Sequence, residues 1–191
     1  MKKLFYIPFL IFAIIGCSSE LSLQKYMAKN SENNNFIAID LGSDILKINQ
    51  KELSEDEKEA LNSFKKLNIL AFRKSDNNEA LYKKEKEEVQ AILKGNPTYE
   101  QLISFGSGAE GASIYAVGET SKISEFIIFG NQNETGFAIV RIIGKDMSPN
   151  HIMNFLSLLE KADIDDKQFK ALEGLIKKDR QAVEEDEIEK V

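Results

Sequence analysis

ISEFIIF (123–129) and FAIVRII (137–143) are apolar on both faces of any strand they form, and the polar turn GNQNETG (130–136) joins them. Such runs belong in the middle of a sheet with helices packed on it. A turn centred on Asn133 predicts Phe129 opposite Phe137, Ile127 opposite Ile139 and Glu125 opposite Arg141. A charge pair meeting inside two apolar strands supports that register. Residues 112–117 precede them as a third run, closed by Gly118–Ser121, so 112–143 reads as an antiparallel three-strand meander.

Outward from the meander, FIAIDL (36–41) ended by Gly42, and 67–72, read as two further strands. Ser54 and Glu57 form a capping box that opens a helix with Ala60, Leu61, Phe64 and Leu67 on one face. Residues 79–94 read as a charged helix with a stripe of Leu81, Tyr82, Val89, Ile92 and Leu93, stopped by Gly95-Asn96-Pro97. Thr98 and Gln101 suggest a second capping box, for a short helix ending near Phe105. Ser148-Pro149 supplies an N-cap and first turn for a helix burying Ile152, Phe155, Leu156 and Leu159. Asp165 and Asp166 open a last amphipathic helix through Phe169, Leu172 and Ile176. The fold class is α+β: one domain, a mostly antiparallel sheet of about five strands, with helices packed against it.

The 191 residues contain one Cys, one His and no Trp, at a net charge of −6. One thiol forms no disulfide within the chain, and one imidazole builds no Cys/His metal cluster. The composition points to no cofactor and no metal. A catalytic unit based on histidine would have to use His151, with Asp146 as the one nearby acid; no motif supplies a nucleophile, and His151 reads as a surface residue at a helix start. Glu125 and Arg141 fit either a substrate clamp or a structural ion pair, and their opposed positions favour the structural pair. Gly106-Ser107-Gly108-Ala109-Glu110-Gly111 matches the spacing of a dinucleotide fingerprint, but that motif needs a strand before it and a helix after it. Here the expected order is inverted, so the glycines read as a turn. An acidic chain also argues against nucleic acid.

The N-terminus carries the sharpest signal. Lys2 and Lys3 precede an apolar run from Leu4 to Ile15, which is shorter than the ~20 residues of a membrane span. Ile14-Ile15-Gly16-Cys17 resembles the lipobox of bacterial lipoproteins, in which a small residue admits the signal peptidase and the cysteine thiol receives the diacylglyceryl group. The resemblance implies a signal peptide over 1–16 and lipidation, with palmitate among the chains, at Cys17. Cleavage removes two lysines and no acid, taking the net charge from −6 to −8. Acyl chains contribute about 0.8 kcal/mol per buried methylene, whereas an acidic body is repelled by anionic headgroups. The lipid is then the anchor. Ser18 in place of Asp resembles the sorting signal for the outer membrane, with the periplasmic face favoured. Residues 17–35 read as a polar tether with a short amphipathic turn around Leu21–Met27, 36–178 as the single domain, and 179–191 as an acidic tail.

The segments 67–70, 99–102, 114–115, 123–128 and 137–144, in this order of elements, resemble the domain of unknown function 4252, a family of small envelope lipoproteins of Gram-negative bacteria. The resemblance runs over about 36–160 and implies fold and location without any functional residue. A charged segment around 76–90 and the acidic C-terminal helix depart from it. The expectation is a lipid-anchored envelope protein that binds an envelope protein or ligand without catalysing a reaction; the alternative is a carboxylate-dependent hydrolase of cell-wall or glycan substrates.

Overall fold

A computed structural model describes residues 22–43, 50–107 and 110–161. They form α1 (Leu23–Asn30), β1 (Phe36–Gly42), α2 (Glu55–Ser63), β2 (Phe64–Arg73), α3 (Glu79–Gly95), β3 (Glu100–Ser107), β4 (Glu110–Glu119), β5 (Lys122–Gln132), β6 (Gly136–Met147) and α4 (Pro149–Lys161). The six strands make one sheet in the order β1-β2-β6-β5-β4-β3, antiparallel at every pairing.

The sixth strand is β3, where the sequence suggested a short helix from Thr98. Asn96 Oδ1 accepts from the Thr98 N–H at 2.9 Å and fixes a turn instead. The residues after it, Glu100–Ser107, pair along β4 as an edge strand. Gly106, at φ +77°, lies where β3 turns into β4, so the glycine-rich run joins two strands and opens no helix. The β5–β6 register also differs from expectation. Turn residues 133–135 are followed by Gly136 at φ +133°, which shifts the pairing by two: Glu125 faces Ile143, and Arg141 faces Ile127. A shift of two keeps every side chain on its face.

Helices cover both faces. On one, α3 and α1 pack over Phe36, Leu70, Phe72, Tyr115, Ile127, Phe129, Phe137 and Ile139. The helix α3 presents Tyr82, Glu85, Val89, Ile92 and Leu93 at helical spacing. On the other, α2 and α4 pack over Ile39, Leu41, Leu67, Ile69, Phe126 and Ile142. The capping box of α2 forms as expected, Glu57 Oε2 accepting from the Ser54 N–H at 2.9 Å. That helix ends at Ser63, however, and Phe64 and Leu67 enter the core from β2. Helix α4 buries Ile152, Phe155 and Leu158; the side chains of Leu156 and Leu159 lie outside the described residues, as does the helix expected from Asp165.

One boundary needs correction. Residues 23–30, expected within a polar tether, form α1, whose Leu23, Tyr26 and Met27 are buried against the sheet and α3. Ser22 caps it by accepting from the Lys25 N–H, and Tyr26 donates to Glu85 Oε2 on α3 at 2.7 Å. The described fold therefore starts with Ser22, well before Phe36.

Candidate functional site

Alternation along the strands and the observed register together create a row that no single segment displays. Ile37, Ala71, Ala138, Gly130, Ala112 and Phe105 are consecutive partners across all six strands, on the face that carries α2 and α4. The next row toward those helices is Ile39, Ile69, Val140, Ile128 and Ile114, and the one beyond it Leu41, Leu67, Ile142, Phe126 and Ala116. Branched and aromatic side chains thus fill the covered part. In the first row the four inner strands carry only methyl groups and a hydrogen, and Arg73, Gly136 and Gln132 pair beyond them.

The result is a trough of about 810 Å³ at the open end of this face. Its floor is the small-residue row, with Ile37 and Phe105 at its two sides and Arg73, Lys74, Glu110, Gln132 and Glu134 among the polar lining. Phe105 is 60% exposed, and Ile103 on the same edge strand 39%. A Cβ built on Gly130 meets no described atom within 4 Å. A concave, mainly apolar surface rimmed by charges has the chemistry of a binding site for an apolar side-chain set or chain.

The polar residues singled out from the sequence lie elsewhere. Glu125 and Arg141 are joined on the opposite face by two bonds, Nε to Oε1 at 2.6 Å and Nη2 to Oε2 at 2.7 Å, with only 13% and 11% of the side chains exposed. Burial opposes the guanidinium charge, but the bonds to Glu125 outweigh it and hold the Arg141 pKa above its usual value. Next to the pair Asn68 donates to Asp40 Oδ1, and a second hollow of about 550 Å³ opens here between α1 and the sheet. Each guanidinium bond runs to Glu125 in a fork, the geometry of a satisfied pair.

His151 is buried, contrary to the surface position expected for it. As third residue of α4 it reaches back so that Nδ1 accepts from the Ser148 N–H at 3.4 Å and lies 3.2 Å from Ser63 Oγ, while Nε2 is 3.8 Å from Glu59. Ser63 Oγ also donates to the Ala60 carbonyl at 2.8 Å. Neither the trough nor the second hollow is lined by these residues. The imidazole is a latch between α2 and α4, assisted by Ser157 donating to Glu57 Oε1 at 3.1 Å. The buried Tyr26 hydroxyl on α1 is pushed well above its ordinary pKa by burial and by its bond to Glu85. Among the described residues no group of three or more His, Cys, Asp or Glu side chains is placed to hold a metal ion, and no helix is long and apolar enough to cross a membrane. Cys17, the lipidation candidate, lies outside the described residues.

The trough escapes sequence reasoning because it exists only once the register is known. With Glu125 opposite Arg141, Ala138 would face Ile128 and the row would break. The signal that was available is the pairing of a large and a small residue at each strand end: Ala71-Phe72, Phe129-Gly130 and Phe137-Ala138. Comparison with protein families gives a match over residues 26–155 to the family described as domain of unknown function (DUF4252). No curated protein and no solved structure matches.

Proposed function

The chain belongs to the DUF4252 family, and we propose that it is a lipid-anchored protein of the cell envelope whose domain binds an envelope protein or ligand in the trough over Ala71, Ala138, Gly130 and Ala112. The lipobox-like Ile14-Ile15-Gly16-Cys17 after a short apolar run supports the anchor and, with Ser18 following, the periplasmic face of the outer membrane. The observation that carries the binding role is the trough, an apolar floor left open beside a half-exposed edge strand. The Glu125–Arg141 fork and the His151 latch, both outside it, are engaged in holding the fold.

The test has two arms. Membrane fractions from cells labelled with a palmitate analogue should carry label on the wild-type chain and none on Cys17→Ala. Crosslinking of the anchored protein should recover a specific partner from wild type and much less from Phe105→Asp, whose side chain is mostly in solvent and whose replacement leaves the core intact. Equal recovery from both chains, or cleavage of a glycan by the purified domain, overturns the binding role; unlabelled wild type overturns the anchor.

A further inference from the structure

We propose that the open edge of β3 pairs antiparallel with the same edge of a second copy of this chain, joining two six-stranded sheets into one continuous sheet. The outer strands of the sheet are β1 and β3, and natural edges are guarded against such pairing by charges, prolines or bulges. On β1 the guard is Asp40, an exposed acid within the strand, with Lys66 at 3.8 Å. On β3 no charge and no proline stands between Gln101 and Gly106, and its bulge lies at the Gln101 end. Every second residue of an antiparallel strand turns both its N–H and its C=O to the same side. The outer side of β3 is thus a row of backbone donors and acceptors, which another extended backbone matches residue for residue.

The side chains select a second copy as that strand. Of the three large apolar side chains exposed among the described residues, two are Ile103 and Phe105, two positions apart on β3. A two-fold axis normal to the sheet and passing beside Ser104 sets Ile103 of each copy opposite Phe105 of the other, and Ser104 opposite Ser104. A ring opposite a β-branched side chain is a favourable cross-strand pair, and here it forms twice. Leu102, at the bulge, falls opposite Gly106, which has no side chain to obstruct it. A register moved by two residues either way leaves one of the apolar pair opposite Gln101 or Ser107 instead. The chain is acidic, at net charge −6, so a like-charged copy approaches most readily along a stretch without charge, and 101–106 is one. Ser104 lies on the α1 and α3 side, 3.2 Å from Ser113, away from the trough. The pairing therefore leaves both troughs open, on one side of the joined sheet, and does not depend on what they bind.

Ser104→Cys in the full-length chain reads that register directly. Opposed residues of antiparallel strands have Cα atoms about 4.5 or 5.5 Å apart, within reach of a disulfide, whereas a slip of two residues separates them by about 8 Å, out of reach. Oxidised with copper phenanthroline in the cells that make it, this variant should yield several-fold more covalent dimer than Glu100→Cys. Glu100 is also exposed and on the same strand, but in this register its two copies stand about 27 Å apart. Wild type supplies the background from Cys17. Adding Ile103→Lys to Ser104→Cys sets a charge against each Phe105 and should lower the dimer several-fold. Equal yields from Ser104→Cys and Glu100→Cys, no dimer from Ser104→Cys, or no response to Ile103→Lys overturns the proposal. Ser104→Cys joined to a different polypeptide overturns it in favour of a foreign strand. The trough reading fails separately. A Ser104→Cys dimer with no foreign partner recovered removes the trough's binding role and keeps the pairing; a foreign partner lost on Phe105→Asp, with no Ser104→Cys dimer, does the reverse.

Discussion

At one end of the sheet the same strands build two unlike surfaces. Phe36, Phe72, Phe129 and Phe137 point to the face under α1 and α3, where Phe72 and Phe137 stack at 5.5 Å and Phe36 meets both edge-on at 5.1 and 6.1 Å. Their immediate neighbours in sequence, Ile37, Ala71, Gly130 and Ala138, point the other way and form much of the trough floor. A period of two puts a large residue on one side and a small one on the other, strand after strand. The aromatic face is closed by a seventeen-residue helix, α3, and by α1, whereas on the other face the nine residues of α2 and thirteen of α4 leave one end uncovered among the described residues. If the trough binds as proposed, stability and recognition are drawn from adjacent residues with little overlap.

Substitutions on either face can break that division. The largest loss is expected at Phe137→Ala, which removes a ring in contact with Phe36, Phe72, Tyr82 and Phe129. Denaturant unfolding should show a loss of about 3–5 kcal/mol. A loss below about 1 kcal/mol would mean that the aromatic cluster is not what closes this face. Arg141→Leu leaves Glu125 buried without its fork and should cost about 3 kcal/mol, while Arg141→Leu combined with Glu125→Leu recovers most of it. Crosslinked partner recovery should survive the single change in protein that still folds. Lost binding in a folded Arg141→Leu chain would move the recognition site to the α1 side.

A smaller effect on the closed face depends on pH. The Tyr26 hydroxyl keeps its proton in the folded chain above the pH at which an unfolded tyrosine ionises, near 10. Its contribution is complete below that pH and is lost as pH rises beyond it, at about 1.4 kcal/mol per pH unit. Melts between pH 9 and 11 should show that slope in wild type, and a shallower one in Tyr26→Phe. The smallest effect, of opposite sign, belongs to the open face. Gly130→Ala adds a methyl group to free space and should raise stability by about 0.5 kcal/mol through the stiffer unfolded chain. Destabilisation there, read from the same unfolding curves, would show the floor to be tightly covered.

The central strands, the capping box of α2 and the helix α3 were legible because each depends on local periodicity or a short cap. Edge strand β3 was not. Its side chains alternate weakly and stay exposed, and Thr98 and Gln101 imitate a helix start although the Asn96 side chain already binds the Thr98 N–H. The sequence around Leu21–Met27 suggested only a short amphipathic turn in a tether, because the docking of α1 depends on partners such as Glu85, 59 residues beyond Tyr26. The burial of His151 likewise requires α2 beside α4. The site itself was the least legible part: a two-residue shift in one hairpin decides whether Gly130 and Ala138 are neighbours.

The docking of α1 also sets a mechanical limit. From Cys17 to Ser22, the first described residue and the cap of α1, there are five residue steps, which span at most about 18 Å. Were Cys17 lipidated as proposed, a lead of that length would keep the domain close to the bilayer. Partners would have to come to the bilayer surface to meet it, and lengthening the chain before Ser22 would extend its working radius without touching the binding face.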